Sequence, residues 1–363
     1  MFKKITAFLL VLTVLMALPQ TASAEEPVAE KEGYVLDFST EFNSGSFPAA
    51  SWLPQYFPHG TTSEEGAAAR YRIENGCLNL YLTKDSPDYF GGRPGSANPD
   101  ELLWIANGVQ TWEKNRLHPG AAHQKDVEPF AGYATQYGWF EIRMKLPDTG
   151  GGGYASWWLI GTQDDARSDG SGSRQNGEID VLETFFKSPG LFEPKVHAWD
   201  DPALSEWSAA VELDGAPEDY RNSFHTYAFD WRPEGITFYV DGKAVAKTIE
   251  SPQYRMGMIL SLYLNSDFSG WEEPETVYPI EWLIDYVRVY KDKNGYDEKN
   301  RPTKWERFLY ERREALADFA QKTASFFRAL FARCQQFFAR LLRLDPVVSC
   351  STGEPFAEPF KPR

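Results

Sequence analysis

The sequence predicts an all-β protein, a sandwich of two stacked sheets, followed by one long amphipathic α-helix near its C-terminal end. Two observations support the β class. Short segments rich in β-branched and aromatic residues recur up to residue 291, and turn residues such as Asn75-Gly76 and Asp241-Gly242 separate nearly all of them. No segment before residue 300 has a helical period. Many short strands divided by turns are typical of a β-sandwich.

Twelve segments have the strand pattern. They cover residues 35–42, 70–74, 77–83, 104–110, 138–146, 157–161, 178–186, 195–200, 225–232, 236–240, 258–264 and 282–290. Together they predict one large β-domain over residues 34–292, a size that one fold can fill.

The first 24 residues have the pattern of a secretory signal. An apolar run from Ile5 to Leu18 follows two lysines, and Ala22-Ser23-Ala24 is a small-residue cleavage site. The run is shorter than the roughly 18–20 residues of a spanning helix. Residues 25–33 are polar and predict a disordered mature N-terminus. We therefore expect an exported protein, extracellular or periplasmic.

The composition excludes some partners. The net charge of −15 argues against nucleic acid and against a polyanionic substrate, whereas 15% aromatic residues suit stacking on sugar rings. The three cysteines are too few and too scattered for a disulfide framework or a zinc site.

The strongest chemical pattern is an acidic strand at residues 177–186. Glu178 and Asp180 share a face of a regular strand, whereas Glu183, five residues after Glu178, would point the other way. A β-bulge near Val181-Leu182 would return all three carboxylates to one face. The glutamates would then lie roughly 13 Å apart at Cα. Inward-leaning side chains would bring the carboxyl groups to about 5–5.5 Å, the spacing of a retaining glycosidase.

Carboxylates this close repel one another, so we expect one glutamate to remain protonated near neutral pH, as a general acid must be. The alternative interpretation is a solvated acidic strand face.

The stretch resembles the E-x-D-x-x-E signature of glycoside hydrolase family 16 in its bulge-containing form. Other segments resemble further blocks of that family: residues 137–147, 224–231, 239–242 and 284–290. The resemblance implies a jelly roll of two antiparallel sheets with the cleft on the concave sheet. It also implies that Glu178 is the nucleophile, Asp180 the residue that tunes it, and Glu183 the acid/base.

The implied activity is a secreted retaining endo-glycosidase that hydrolyses a β-linked polysaccharide, a β-1,3-glucan or a related galactan, without a cofactor in the chemistry. The β-1,3-glucanases of the family commonly carry Arg shortly after the glycine that corresponds to Gly108, where this chain has Val109 and Gln110. That departure weakens the glucan assignment. A transglycosylase and a catalytically inactive sugar-binding sandwich remain as alternatives.

Four aromatic residues and one histidine are candidates for substrate binding. By resemblance Trp158 is a sugar-stacking or cleft-floor residue, Tyr154 replaces another ring of the same motif, and Trp271 lies where the family often has a stacking loop Trp. His197 and Trp199 alternate on a strand that should pair with the acidic one. This pairing would bring His197 to the carboxylates or to a sugar hydroxyl; a purely structural histidine is the alternative.

A structural calcium site is a further implication of the resemblance. Glu41, Asp285 and the carbonyl of Gly76 match positions at which many family members bind this ion, and oxygen ligands suit a hard cation. Ordinary surface charge is the alternative.

The composition changes after Tyr290. A polar linker over residues 293–303 leads to a capping box, Thr303 with Glu306, and the helix predicted from it covers residues 304–345 before a disordered tail over 346–363. Its apolar residues form a heptad seam widened by several Phe and Leu, and every charge from Phe319 to Leu344 is basic. This pattern favours binding to an anionic membrane surface or self-association; docking on the β-domain is the alternative.

Overall fold

The computed structural model describes residues 30–91, 104–114, 123–163, 175–199, 201–216, 219–265 and 276–341. The expected signal sequence and the expected C-terminal tail lie outside these ranges. The chain divides into two compact units, with the boundary between Arg301 and Pro302.

The first unit is built from strands. In chain order they are β1 (Tyr34–Thr40), β2 (Tyr71–Glu74), β3 (Cys77–Leu82), β4 (Trp104–Gln110), β5 (Trp112–Glu113), β6 (Phe130–Ala131), β7 (Ala134–Thr135), β8 (Gly138–Lys145), β9 (Tyr154–Gly161), β10 (Glu178–Phe185), β11 (Leu191–Phe192), β12 (Lys195–His197), β13 (Trp207–Ser208), β14 (Val211–Glu212), β15 (His225–Arg232), β16 (Gly235–Val240), β17 (Lys243–Thr248), β18 (Met256–Asn265) and β19 (Ile280–Asp292). Two short α-helices join them, α1 (Glu64–Ala67) and α2 (Asp219–Asn222).

These strands form two large antiparallel sheets. The larger has the order β17-β16-β15-β8-β19-β3-β2, with β1 also on β19, and the smaller has the order β13-β12-β10-β9-β18-β4, with β7 also on β18. The all-β sandwich predicted from the sequence is confirmed. The pattern did not reveal β17, because its sequence KAVAKT contains few large apolar residues and the strand lies at a sheet edge.

Alternation along β9 explains where the core lies. Trp157 and Leu159 point into the interior between the sheets, where they join a large cluster that includes the fully buried Trp231 and Trp282. Trp158 and Ile160 point to the opposite side, which we call the outer face of the smaller sheet.

Part of the outer face is covered by the segment between β1 and β2. Tyr56 and Phe57 pack there with Trp158 and Tyr263, and Leu53 forms a backbone bridge to Gln110 of β4. The ring centroids of Phe57 and Trp158 are 5.5 Å apart. The segment therefore adds an apolar layer on the side of the sheet away from the main core.

In the second unit the structure describes one helix, α3 (Lys304–Leu341). Its start has reciprocal capping: the backbone N–H of Thr303 donates to the Glu306 carboxylate (2.8 Å), and the backbone N–H of Glu306 donates to Oγ1 of Thr303 (3.2 Å). None of the described helices is long and apolar enough to cross a membrane.

Candidate active site

The carboxylates lie on strand β10, and its bulge sets their direction. The register of β10 against β9 shifts between Asp180 and Leu182, so Val181 is the extra residue. Val181 and Leu182 are both buried in the interior core. Glu178, Asp180 and Glu183 consequently lie opposite Ile160, Trp158 and Ser156 of β9, all on the outer face. The predicted bulge is present, and it brings the three carboxylates to one face.

Glu178 is nearly buried, and its carboxylate is held by an indole. Nε1–H of Trp199 donates to Oε2 of Glu178 at 2.8 Å. Trp199 lies two residues beyond the end of β12 with φ +46°, in the left-handed region that non-glycine residues seldom adopt. Trp199 therefore reaches Glu178 through a turn of the backbone and not through the predicted strand alternation. The ring is 43% exposed, so a ligand can still reach it.

Asp180 lies between the glutamates and is 3% exposed. Burial raises its pKa well above the ordinary value of 3.8, and the charges of Glu178 and Glu183 raise the pKa further. The sequence led us to expect the shared proton on a glutamate. In the structure, Asp180 is a carboxyl group whose pKa is raised, because it is buried between two other acids.

His197 approaches Asp180 from β12, which pairs with β10 as predicted. Its Nε2 is 3.3 Å from Oδ2 of Asp180, and its Nδ1 is 2.7 Å from Oε2 of Glu206. An ionised carboxylate can only accept, so Nδ1 carries a hydrogen that it donates to Glu206. This contact orients the imidazole and turns Nε2 toward the carboxylates.

Glu183 is less buried than the other two carboxylates and has a cationic partner. Nζ of Lys195 forms a short ion pair with Oε2 of Glu183. Burial would lower the pKa of Lys195, but the charges of Glu183 and Asp180 outweigh this effect and raise it. The cluster thus contains a lysine that remains charged at neutral pH.

Two of the rings predicted for substrate binding are buried. Tyr154 and Trp158 point to the outer face but are each only 4% exposed. Tyr154 stacks on Tyr263 at 4.6 Å, and Nε1 of Trp158 donates to Oγ of Ser261 at 2.8 Å. Both rings therefore pack against neighbours on the outer face, and a role of either residue in substrate binding stays a prediction. Trp271 lies outside the described residues.

The residues predicted for calcium have arginine partners. Arg288 forms a bidentate pair with Glu41, with contacts of 2.9 and 2.7 Å, and Arg143 donates to Asp285 at 2.5 Å. An ion bound to these carboxylates would compete with the two guanidinium groups. Calcium at Glu41, Gly76 and Asp285 stays a prediction.

The site itself contains residue types that bind cations. Glu178, Asp180 and His197 offer ligand atoms within 4.8 Å of one another. In the structure the Glu178 carboxylate accepts from the indole N–H of Trp199, and the Glu206 carboxylate orients the imidazole of His197. The pKa of Asp180 is raised. The arrangement suits the holding and transfer of protons, and we interpret it as acid–base machinery.

Sequence reasoning missed three residues near the site. Lys195 could have been found, because it is two positions before His197 and shares its strand face. Glu206 reaches His197 from a connecting segment, which no local pattern reveals. Tyr56 comes from the segment that covers the outer face; burial, and to a smaller degree the charge of Glu178, raises its pKa. Only tertiary contacts bring these last two residues to the site.

The sequence is similar to known glycoside hydrolases. The sequence model of the glycosyl hydrolases family 16 matches residues 131–288. The glucan endo-1,3-beta-glucosidase A1 of Niallia circulans is 27% identical over 274 residues, which cover 71% of this chain and 35% of that protein. The chain therefore spans about a third of the length of this curated relative.

Solved structures include a more similar protein. The GlcNAcα1-4Gal releasing endo-β-galactosidase from Clostridium perfringens is 35% identical, with a TM-score of 0.66, over 76% of this chain and 66% of that chain. The catalytic domain of an endo-1,3-beta-glucanase (laminarinase) from Thermotoga petrophila is 21% identical with a TM-score of 0.50, over 72% of this chain and 99% of that chain. The second likeness concerns the fold alone.

Proposed function

The chain belongs to glycoside hydrolase family 16, and on that basis we propose that it is an endo-glycosidase that cleaves a β-linked polysaccharide by double displacement with retention of the anomeric configuration. The observation that carries the proposal is the bulge at Val181, which places Glu178 and Glu183 on one face with the buried Asp180 between them. Two carboxyl groups beside one glycosidic bond are what a retaining mechanism needs.

In the first step, the carboxylate of Glu178 attacks the anomeric carbon. The bond from that carbon to the glycosidic oxygen breaks, and the leaving oxygen takes a proton from Glu183. The product of this step is a glycosyl ester on Glu178. In the second step, Glu183 accepts a proton from water, the water oxygen attacks the anomeric carbon, and the ester bond breaks. Two inversions give net retention.

The neighbouring residues prepare these two glutamates. The Trp199 indole fixes Oε2 of Glu178, and a proton held on Asp180 stabilises the negative charge of the nucleophile beside it. Lys195 contacts Glu183 in the charged form that the second step requires. For the first step, Glu183 must hold a proton, so the incoming glycosidic oxygen takes the place of Lys195 as its partner.

Among β-linked substrates we rank galactosides ahead of β-1,3-glucans. The Clostridium perfringens endo-β-galactosidase is 35% identical to this chain, whereas the Thermotoga petrophila laminarinase is 21% identical. Gln110 also differs from the Arg common in the β-1,3-glucanases. Its side chain accepts from the backbone N–H of Phe57 (3.1 Å) and donates to Glu113 (2.5 Å), so it is engaged inside the protein.

A substrate panel with product analysis tests the proposal. We expect release of oligosaccharides from a galactose-containing β-linked glycan, with the β-anomer formed first in the proton NMR spectrum. Glu178→Gln should retain the fold and lose on the order of 10⁴-fold or more in turnover. An α-anomer as first product, or near-normal turnover of the folded variant, would refute the mechanism. Hydrolysis of glucans alone would reverse the ranking of substrates.

The same assay separates the alternatives. Longer products formed when oligosaccharide acceptors are added would identify a transglycosylase, and binding without any product would identify a sugar-binding sandwich. We also propose that the protein is exported, which the pattern of residues 1–24 supports. Recovery of a mature protein whose N-terminus follows Ala24 from outside the cytoplasm would test this.

A further inference from the structure

Helix α3 has a wide apolar face whose side chains are exposed. Among the described residues, ten of the fourteen exposed large hydrophobic side chains belong to this helix. Their spacings of one, three, six or seven positions place them on one side of the helix: Trp305, Phe308, Leu309, Leu316, Phe319, Phe326, Phe327, Leu330, Phe331 and Phe337. An exposed stripe of this size marks an interaction surface.

The charges along the helix are unevenly distributed. From Lys304 to Asp318, four basic and four acidic residues are interspersed. From Phe319 to Leu341 there are four basic residues and no acidic one, although the whole chain has a net charge of −15. Lys322 and Arg333 are eleven residues apart, about three turns, so they lie along one edge of the apolar stripe. The C-terminal half thus joins an apolar face to purely positive charge.

We propose that the C-terminal half of α3 binds the surface of an anionic lipid bilayer. The Phe and Leu side chains enter the boundary between headgroups and acyl chains, and the basic residues contact the anionic headgroups. The helix lies along the surface, because its apolar stripe runs along one side and basic residues border that stripe. Through this helix the β-domain would be held next to a membrane.

Two other occupants of the apolar face are less favoured. The β-domain exposes few large hydrophobic side chains among its described residues, only Val35, Leu36, Trp199 and Val277, which offers no broad apolar patch to receive the helix. A second copy of α3 in parallel would place two basic halves side by side. Phe326, Phe327 and Phe331 also spread over about 140° of the helix, wider than the seam of a two-stranded coiled coil.

The full-length protein should sediment with vesicles of phosphatidylcholine mixed with phosphatidylglycerol at low salt, and not with vesicles of pure phosphatidylcholine. Salt at about 1 M shortens the Debye screening length to roughly 3 Å and should release the protein from the vesicles. Replacing Lys322, Arg328 and Arg333 together by Glu should weaken binding about a hundredfold or more, because each basic residue near such a surface raises the affinity for it about fivefold. Replacing Phe326, Phe327 and Leu330 by Ser should abolish it.

A matched control separates local charge from total charge. Replacing Lys247, Lys293 and Lys299, three exposed lysines of the first unit, by Glu changes the net charge by the same amount and should leave binding intact. Three results would overturn the proposal: equal binding to neutral vesicles, equal loss in the control, or no vesicle binding by a protein that sediments as a discrete oligomer or as a monomer. The oligomer would identify a second copy as the occupant, and the monomer would point to the β-domain. None of these readouts depends on glycosidase activity.

Discussion

The indole Nε1–H of Trp199 and Oε2 of Glu178 form a 2.8 Å hydrogen bond between residues 21 positions apart in the chain. The bond depends on the left-handed backbone of Trp199, which turns the ring back onto β10 after β12 has ended. A hydrogen bond to an ionised carboxylate is stronger than one between neutral groups, so it fixes the orientation of the proposed nucleophile.

Trp199→Phe should therefore reduce kcat about ten- to a hundredfold while KM changes little. The variant keeps an aromatic face and removes only the N–H donor to Glu178, and a hydrogen bond to a charged group contributes about 1.5–3 kcal/mol. Trp199→Leu removes the ring as well and should also raise KM. Equal kinetics for the Phe variant and the natural protein would show that the indole N–H has no role in turnover.

The bulge at Val181 allows a test by deletion. Deletion of Val181 removes the extra residue, so Glu178, Asp180 and Glu183 would share one face of a regular strand. We expect the variant to be less stable, because a buried core side chain is lost, but to keep activity within about a hundredfold.

Deletion of Ile179 is the matched control for the bulge. It also removes one fully buried aliphatic side chain, but it places Glu178 on the opposite face from Asp180. Its turnover should fall on the order of 10⁴-fold or more. Steady-state kinetics, with circular dichroism to confirm folding, would decide the question. Equal losses in both deletion variants would mean that face alternation does not determine activity.

Glu183→Ala should affect substrates unequally if Glu183 is the acid/base. A polysaccharide needs protonation of its leaving oxygen, whereas an activated aryl glycoside does not, so the first step should slow much more for the polysaccharide. Azide, which needs no general base, should restore the second step and give a β-glycosyl azide. Equal losses on both substrates and no effect of azide would remove Glu183 from this role.

Asp180→Asn should change how stability depends on pH. The folded protein raises the pKa of Asp180 above its ordinary value of 3.8, so the folded state keeps a proton that the unfolded state releases. Folding stability is therefore lost as pH rises from about 4 toward the folded pKa, by up to about 1.4 kcal/mol per pH unit. Asn carries no such proton, so the variant should gain stability relative to the natural protein as pH rises.

Urea unfolding at intervals between pH about 4 and about 7 would measure the difference. Asp201→Asn is a suitable control, because it replaces another buried aspartate that lies outside the carboxylate trio. A constant difference between Asp180→Asn and the natural protein across this range would contradict the raised pKa of Asp180.

The sandwich and the carboxylate face could be predicted because they depend on local alternation. Side chains alternate between the two faces of a strand, so Glu178, Asp180 and Glu183 can share one face only if the strand contains a bulge. The bulge lies at Val181, within the segment where it was predicted. The same local logic failed at Trp199. Alternation assigned it to a strand, whereas it reaches Glu178 through a left-handed turn that no residue pattern announces.

Burial and protonation were decided by distant segments. Nothing near Trp158 in the sequence shows that Phe57, about a hundred positions earlier, packs against it, so local sequence could not decide between a stacking ring and a residue of the cleft floor. The raised pKa of Asp180 has the same origin, because its largest cause is burial by the groups packed around the carboxyl. The sequence alone determined which face of the sheet each strand side chain takes, because that follows from the two-residue period of a strand. Which residues cover that face depends on long-range packing, which exists only once the chain has folded.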